Sequence, residues 1–208
     1  MKTESKNTEA ARKRYNRIAP FYDFMEGLVE RSRYSGWREL LWSKVEGNKI
    51  LEVGVGTGKN FLYYPAHTKI TAIDFSEKML SRATERARKL GMEIALQQMD
   101  VQNLGFEDGI FDTVVATFVF CSVPDPIKGL KEIKRVCKPG GKVLLLEHVL
   151  SANPVLSFLM NLVNPLVVRT MGPNINRKTV ENVANSGLKV EKVTDLAVGI
   201  FKLMEARA

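Results

Sequence analysis

The segment that most constrains this chain is Glu52-Val-Gly-Val-Gly-Thr-Gly58. It follows a short apolar run at 49–53 and precedes a region with helical spacing. Glycines at 54, 56 and 58 let the backbone turn sharply and come close to a ligand where a Cβ would collide. A strand that runs into such a loop is how a parallel sheet presents backbone at its carboxyl edge. The dinucleotide fingerprint G-x-G-x-x-G/A would put a small residue at position 59, which here is Lys59. The pattern is instead an acid followed by G-x-G-x-G. Taken alone it could be no more than a tight turn, so its meaning rests on what surrounds it.

Beyond residue 48, apolar runs alternate with helical periodicity. Strands are expected at 49–53, 69–74, 94–99, 111–120 and 142–149. The fourth is nearly all apolar, which fits a central strand buried on both faces. Ser76 should cap a helix with Met79, Leu80, Ala83, Ala87 and Leu90 inward and Gly91 as its stop. Asp125-Pro126 should open a second helix, with Ile127, Leu130, Ile133 and Val136 inward and the turn residues Lys138-Pro-Gly-Gly141 at its end. A short helix at 177–186 leads to a closing strand pair at 188–196 and 200–206. Too few residues separate that pair for a crossover, so one member must run antiparallel. The expectation is an α/β, Rossmann-like three-layer sandwich whose seven-stranded sheet is mostly parallel. Residues 1–48 read as three helices (8–18, 21–33 and 36–44) that cap the same domain at the ligand edge. Residues 49–208 form the main body, with an insertion at about 151–176.

Charge narrows the partners. The 208-residue chain carries a net charge of +8. Its basic residues gather at 2–17, 78–89 and 128–142. Nucleic acid or an anionic membrane surface could use such patches. Solvated outer faces of amphipathic helices explain them equally, since each cluster lies on an expected helix. No Asn-Pro-Pro-Tyr-like tetrad follows the fourth strand, which ends Phe120-Cys-Ser-Val123, and no nucleic-acid partner is expected. Two cysteines, Cys121 and Cys137, and no leader-like segment fit a reducing cytoplasm. Two histidines and no Cys/His cluster leave no metal site expected.

Two further acids carry chemistry. Asp74 ends the second strand, where a carboxylate can accept two hydrogen bonds from ribose hydroxyls; a helix-capping role is the plain alternative. Asp100 ends the third strand and can accept from an adenine amino group, or simply be a loop acid. In combination these residues resemble the class I S-adenosylmethionine-dependent methyltransferases over roughly residues 15–150. That resemblance implies S-adenosylmethionine as cofactor. It places Glu52, Val53, Gly54, Gly56 and Gly58 at the methionine part and Asp74 on the ribose. Phe75 and Met79 would lie beside the adenine, Asp100 and Val101 at its edge, and Thr117 and Phe118 toward the methionine end.

More narrowly, the chain resembles the group holding ubiquinone/menaquinone methyltransferases, bacterial phosphatidylethanolamine N-methyltransferases and methyltransferase-like thiol methyltransferases. Tyr15-Asn-Arg-Ile-Ala-Pro-Phe-Tyr-Asp23 is similar to their N-terminal helix, whose tyrosines sit near the cofactor. The run Gly58-Lys-Asn-Phe-Leu-Tyr-Tyr-Pro65 and Glu147-His-Val149 resemble the thiol branch. His148 is the candidate general base, or a histidine bonded to backbone. Tyr15 and Tyr22 are expected to orient the acceptor, or to pack the helix. Cys121 reads as a buried small hydrophobe. Residues 151–168 carry no charge and lie where this family inserts an acceptor lid; a packed covering helix is the alternative. The stretch is too broken to span a bilayer but suits a lipophilic acceptor or a membrane interface.

The expected activity is methyl transfer to a small-molecule or lipid-like acceptor. Phospholipid amine (phosphatidylethanolamine N-methylation) is the first reading, and thiol S-methylation or quinone-precursor C-methylation is the alternative. An adenosyl-ligand-binding regulatory protein is the non-enzymatic one. Location is expected to be cytoplasmic, with peripheral contact to an anionic membrane as the further possibility.

Overall fold

Apolar side chains alternate between the two faces of each central strand, and both faces are covered. This is shown by a computed structural model that describes residues 6–29, 34–170 and 172–208. The strands are β1 (Lys49–Val53), β2 (Lys69–Asp74), β3 (Ala95–Gln98), β4 (Phe111–Thr117), β5 (Cys137–His148), β6 (Lys189–Ala197) and β7 (Phe201–Arg207). They form one seven-stranded sheet in the order β3-β2-β1-β4-β5-β7-β6. β1 pairs in parallel with β2 and β4, β2 with β3, and β4 with β5. β7 runs antiparallel to both β5 and β6. The Rossmann-like sandwich with one antiparallel strand near the C-terminus is therefore the observed architecture.

Period-two alternation sorts the core into two layers. Leu51, Val53, Val114, Ala116, Val143 and Leu145 face one side, packed by Leu130, Ile133 and Val136 of α4 (Pro126–Val136) and Val183 of α6 (Thr179–Asn185). Ile50, Val115, Leu144 and Leu146 face the other, under Leu41 and Trp42 of α2 (Ser35–Trp42). Ala83 and Ala87 of α3 (Glu77–Leu90) close that layer beside β2. The basic residues of α3 and α4 lie on their outer or partly exposed faces, as expected for amphipathic helices.

Capping follows the sequence. Ser76 accepts from the Met79 N–H, and Gly91, at φ 65°, ends α3. Asp125 accepts from the Lys128 N–H with Pro126 in the first turn of α4. The β6–β7 hairpin turns through Val198 and Gly199, both at positive φ (52° and 72°). The Ile200 N–H closes it on the Ala197 carbonyl at 3.1 Å. That is the mirror-image turn whose twist matches paired strands.

Three boundaries differ from expectation. Residues 8–18 and 21–29 form one helix, α1 (Lys6–Val29), which continues through Pro20 at the loss of one intrahelical hydrogen bond. The expected end of the second helix at 30–33 lies outside the described residues. β4 stops at Thr117 rather than at residue 120, because Phe118 takes φ 57°. β5 begins at Cys137, so Lys138-Pro-Gly-Gly141 lies within it; the register shift between Phe111 and Thr113 absorbs the extra residues.

The uncharged stretch forms α5 (Pro154–Thr170) with Pro165 inside it. No helix among the described residues is long and apolar enough to cross a membrane.

Because the Asp125 cap supplies an acceptor to a helix N-terminus, Asp125→Ala should cost about 1 kcal/mol in denaturant-midpoint measurements. Asp125→Asn should recover most of it. An unchanged midpoint in Asp125→Ala would show that α4 is held by its packing alone.

Candidate active site

The carboxyl ends of the parallel strands face one rim, and buried carboxylates tie down the loops that leave it. At the end of β2, Asp74 is 6% exposed. One of its oxygens accepts from the Gly56 N–H at 2.9 Å and the other from the Ser76 N–H at 2.8 Å. The glycine loop is thus bonded to the next strand end. Gly54 and Gly56 both take positive φ (69° and 56°), which favours glycine. A Cβ on Gly56 would meet no atom within 4 Å, so the loop leaves open space above it.

Glu52 sits below that loop. Asn60 Nδ2 donates to it at 2.5 Å, and the Tyr64 hydroxyl donates to its other oxygen. Asn60 also donates to Thr117 Oγ1 at 3.1 Å and accepts from Arg38 Nη1 at 2.8 Å. Glu147 is fully buried; its Oε1 accepts from the Val119 and Phe120 N–H groups at 2.9 and 3.1 Å. It thereby holds the chain where β4 breaks at Phe118. Among the described residues Oε2 of Glu147 has no hydrogen-bond partner.

Two cavities meet at this rim. The first takes in about 690 Å³, open mouth included. Gly54, Gly56, Asp74, Phe75, Met79, Asp100, Val101, Thr117 and Phe118 line it together. The second encloses about 820 Å³ and is lined by His148, Tyr34, Phe201, Cys121 and the segment 173–175. Tyr15, Tyr22 and Phe118 belong to both.

The Tyr15 hydroxyl is hydrogen-bonded to Ser122 Oγ, and its ring meets Phe75 edge-on at 5.7 Å. Tyr22 lies under Lys59 Nζ, 5.5 Å from the ring centre. Phe118 is packed by Tyr34 at 4.9 Å and by the Arg38 guanidinium at 5.7 Å. The shared wall is therefore aromatic and braced from behind.

Burial sets the titrations. It raises Asp74 to about 6, against the lowering effect of the Ser76 and Gly56 N–H groups. Burial likewise raises Glu52 and Glu147 to about 7 each. It lowers His148, which favours the neutral imidazole, and among the described residues its Nδ1 has no hydrogen-bond partner. Burial, with Glu147 nearby, pushes Cys121 up to about 12, which rules out a thiolate there.

Most residues named from sequence converge on the first cavity. Glu52, Val53 and Gly58 do not line it. Val53 is wholly in the core, and the Phe61 ring covers Gly58. Glu52 has its oxygens committed to Asn60 and Tyr64, so its place is to shape the loop from beneath. His148 lies in the second cavity, across the aromatic wall. Asp100 lines the first, but the Gln102 side-chain amide already contacts both its oxygens, at 3.1 and 2.9 Å. The Gln102 backbone N–H also donates to Oδ1 at 2.9 Å, so further acceptor capacity remains on Oδ2.

Sequence reasoning missed Gln102, Ser122, Tyr34 and Phe201. Gln102 joins Asp100 to the Thr8 hydroxyl and the Asp125 N–H. Phe201 arrives from the antiparallel β7, paired directly with His148. Nothing local in the sequence signals that pairing.

Comparison with known proteins agrees with this geometry. A family model described as a methyltransferase domain matches residues 51–145. A phosphatidylethanolamine N-methyltransferase of Cereibacter sphaeroides is 41% identical over 142 residues, which cover 67% of this chain and 68% of that protein. The ubiquinone/menaquinone biosynthesis C-methyltransferase UbiE of Bdellovibrio bacteriovorus is 31% identical over 178 residues, covering 83% and 76%.

Among solved structures, an S-adenosylmethionine-dependent methyltransferase of Thermotoga maritima, described as a possible histamine N-methyltransferase, superposes with a TM-score of 0.70. Its identity is 21%, and the match covers 94% of this chain and 98% of that one. A geranyl diphosphate methyltransferase in complex with S-adenosylmethionine gives 0.70 at 17% identity, covering 83% and 84%. This chain belongs to the class I S-adenosylmethionine-dependent methyltransferases, in the family that includes UbiE and phosphatidylethanolamine N-methyltransferase. It is an enzyme of that class, and S-adenosylmethionine is its methyl donor.

The buried carboxylates carry a pH signature. Glu52 and Glu147 hold a proton in the folded state up to about pH 7, whereas the ordinary value is 4.5. Their contribution to stability is complete below pH 4.5 and is lost as pH rises through 7. Urea midpoints should therefore fall between pH 5 and 8. Glu147→Gln should flatten that limb by roughly 1–3 kcal/mol. An identical slope in the variant would remove Glu147 from the account.

Proposed function

We propose that the enzyme methylates a ring carbon of a lipophilic quinone-type precursor, held in the His148 cavity. The carrying observation is the lining of that cavity. Tyr15, Tyr22, Tyr34, Phe118 and Phe201 surround His148, and no carboxylate is among the described residues that line the cavity. Aromatic faces suit a flat, uncharged ring. Among the described residues an ammonium acceptor would find only ring faces for its charge. Relatives in kind support this reading: besides UbiE, a demethylmenaquinone methyltransferase of Lactobacillus johnsonii is 35% identical over 151 residues, covering 68% of this chain and 62% of that protein. The 41% identity to a phosphatidylethanolamine N-methyltransferase favours a second reading, transfer to a phospholipid amine.

The proposed cofactor placement follows the first cavity. The open space over Gly56 takes the methionine end, and the residual acceptor capacity of Asp74 takes the ribose hydroxyls. Phe75, Met79 and Val101 enclose the adenine, and Asp100 meets its amino edge. The donor supplies a methyl group on a sulfonium, already an electrophile. The protein's part is alignment across the wall formed by Tyr15, Tyr22 and Phe118 and exclusion of water. Alignment of this kind is worth roughly 7–11 kcal/mol. One proton leaves a quinol acceptor for each methyl gained, and the neutral His148 imidazole can take it. The enzyme is proposed to work in the cytoplasm, with peripheral membrane contact.

Asp74→Ala should weaken S-adenosylmethionine binding by roughly 1.5–3 kcal/mol in calorimetry. Unchanged affinity would move the ribose elsewhere. His148→Ala should lower turnover by roughly 10²–10⁴-fold with cofactor affinity held; a value within a few fold of the parent assigns His148 to packing against Phe201.

A panel with methyl-labelled donor identifies the acceptor: reduced demethylmenaquinone, phosphatidylethanolamine and a long-chain thiol, each in mixed micelles. The expected label is on the quinol. Label confined to phosphatidylethanolamine establishes the second reading, and label confined to the thiol overturns both.

A further inference from the structure

Helix α5 carries its apolar stripe on the outside. Val155, Phe158, Leu159, Leu162, Val163 and Leu166 fall at i, i+3, i+4, i+7, i+8 and i+11, the spacing of one helix face. In a globular protein that face is normally buried, yet here these side chains are 69, 67, 48, 65, 43 and 66% exposed. The opposite side holds the helix to the body. Met160 is buried. Asn164 Oδ1 accepts from the Ile175 N–H at 2.9 Å, and Asn161 Oδ1 from Asn176 Nδ2 at 2.9 Å. These bonds fix the segment 173–175 that walls the His148 cavity. The stripe therefore does not cover the acceptor, as a lid would; it faces away from it.

Charge selects the occupant. No charged residue occurs from 151 to 168, and exposed Arg169 follows directly. Beyond it, Arg14 Nη1 of α1 contacts the Gly172 carbonyl at 3.5 Å, which places Arg14 beside the end of α5. A second copy would set one chain of net charge +8 against another. An anionic surface meets complementary charge.

We propose that the outer stripe of α5 is a docking surface for an anionic phospholipid bilayer. The helix lies in the interface with its apolar side among the acyl chains, and Arg169 and the basic end of α1 are level with the headgroups. This goes beyond the assignment of the acceptor. Only its corollary, that a lipophilic acceptor reaches the cavity from the docked side, rests on that reading.

Vesicle flotation without any acceptor tests the docking. The full chain should float with phosphatidylcholine vesicles containing a third phosphatidylglycerol, less with pure phosphatidylcholine, and less at high salt. Phe158→Ser with Leu162→Ser should weaken the partition about tenfold or more, since burying one large apolar side chain is worth about that factor. Arg169→Glu should reduce the preference for anionic vesicles. Affinity for S-adenosylmethionine and turnover of detergent-dispersed acceptor should be unchanged in the double variant.

The proposal is overturned if the parent does not float at low salt, or if the double variant floats like the parent. It is also overturned if sedimentation shows a dimer that the double variant dissolves, because the stripe is then a contact between copies. If flotation holds while no lipophilic acceptor in the panel is methylated, the docking stands and the acceptor assignment fails.

Discussion

The rim of a parallel sheet has a problem that this structure solves with acids. Each loop that leaves a strand there carries polar groups that its own element does not satisfy, and burial without partners would cost about 1–3 kcal/mol apiece. Asp74 takes the Gly56 and Ser76 N–H groups, and Glu147 takes those of Val119 and Phe120. Glu52 takes Asn60 and Tyr64, which fixes the loop after β1 from below. The carboxylates hold the loops within the sheet's reach, and the loops in turn bury the carboxylates, which is why all three titrate high. Both cavities depend on this arrangement, because the glycine loop walls one and the break at Phe118 separates them.

The frame of this enzyme was legible because its signals are local. Alternating apolar runs, the Ser76 and Asp125 caps and the glycines after β1 each depend on neighbours a few residues away. The short link between β6 and β7 sufficed to require an antiparallel strand. What was not legible depends on distant partners. Phe118 is an aromatic residue at positive φ, a conformation nothing nearby in the sequence favours. It is held by Glu147 on another strand, by Arg38 and by Tyr34. Pro20 looked like a helix boundary, but the helix runs through it.

The site divides along the same line. Asp74, Phe75, Met79, Asp100 and Val101 sit beside the strand ends that the sequence marked, and they do meet in one cavity. Glu52 matched the motif; it does not line that cavity, and its oxygens accept from Asn60 and Tyr64, since the motif records an acid at a position and not where its oxygens are used. The second cavity came through least well. Its wall combines a helix before the sheet, the end of β5, the antiparallel β7 and the loop after α5. The uncharged stretch was read as a candidate lid, but its hydrophobic side faces solvent and only its polar side serves the cavity.

We propose that donor and acceptor meet across the wall of Tyr15, Tyr22 and Phe118. A crystal structure with S-adenosylhomocysteine tests it most directly. The expected result is ribose hydroxyls on Asp74, adenine between Met79 and Val101, and the sulfur directed toward Phe118 and the His148 cavity. A sulfur turned away from that cavity, or a ribose without contact to Asp74, would contradict it.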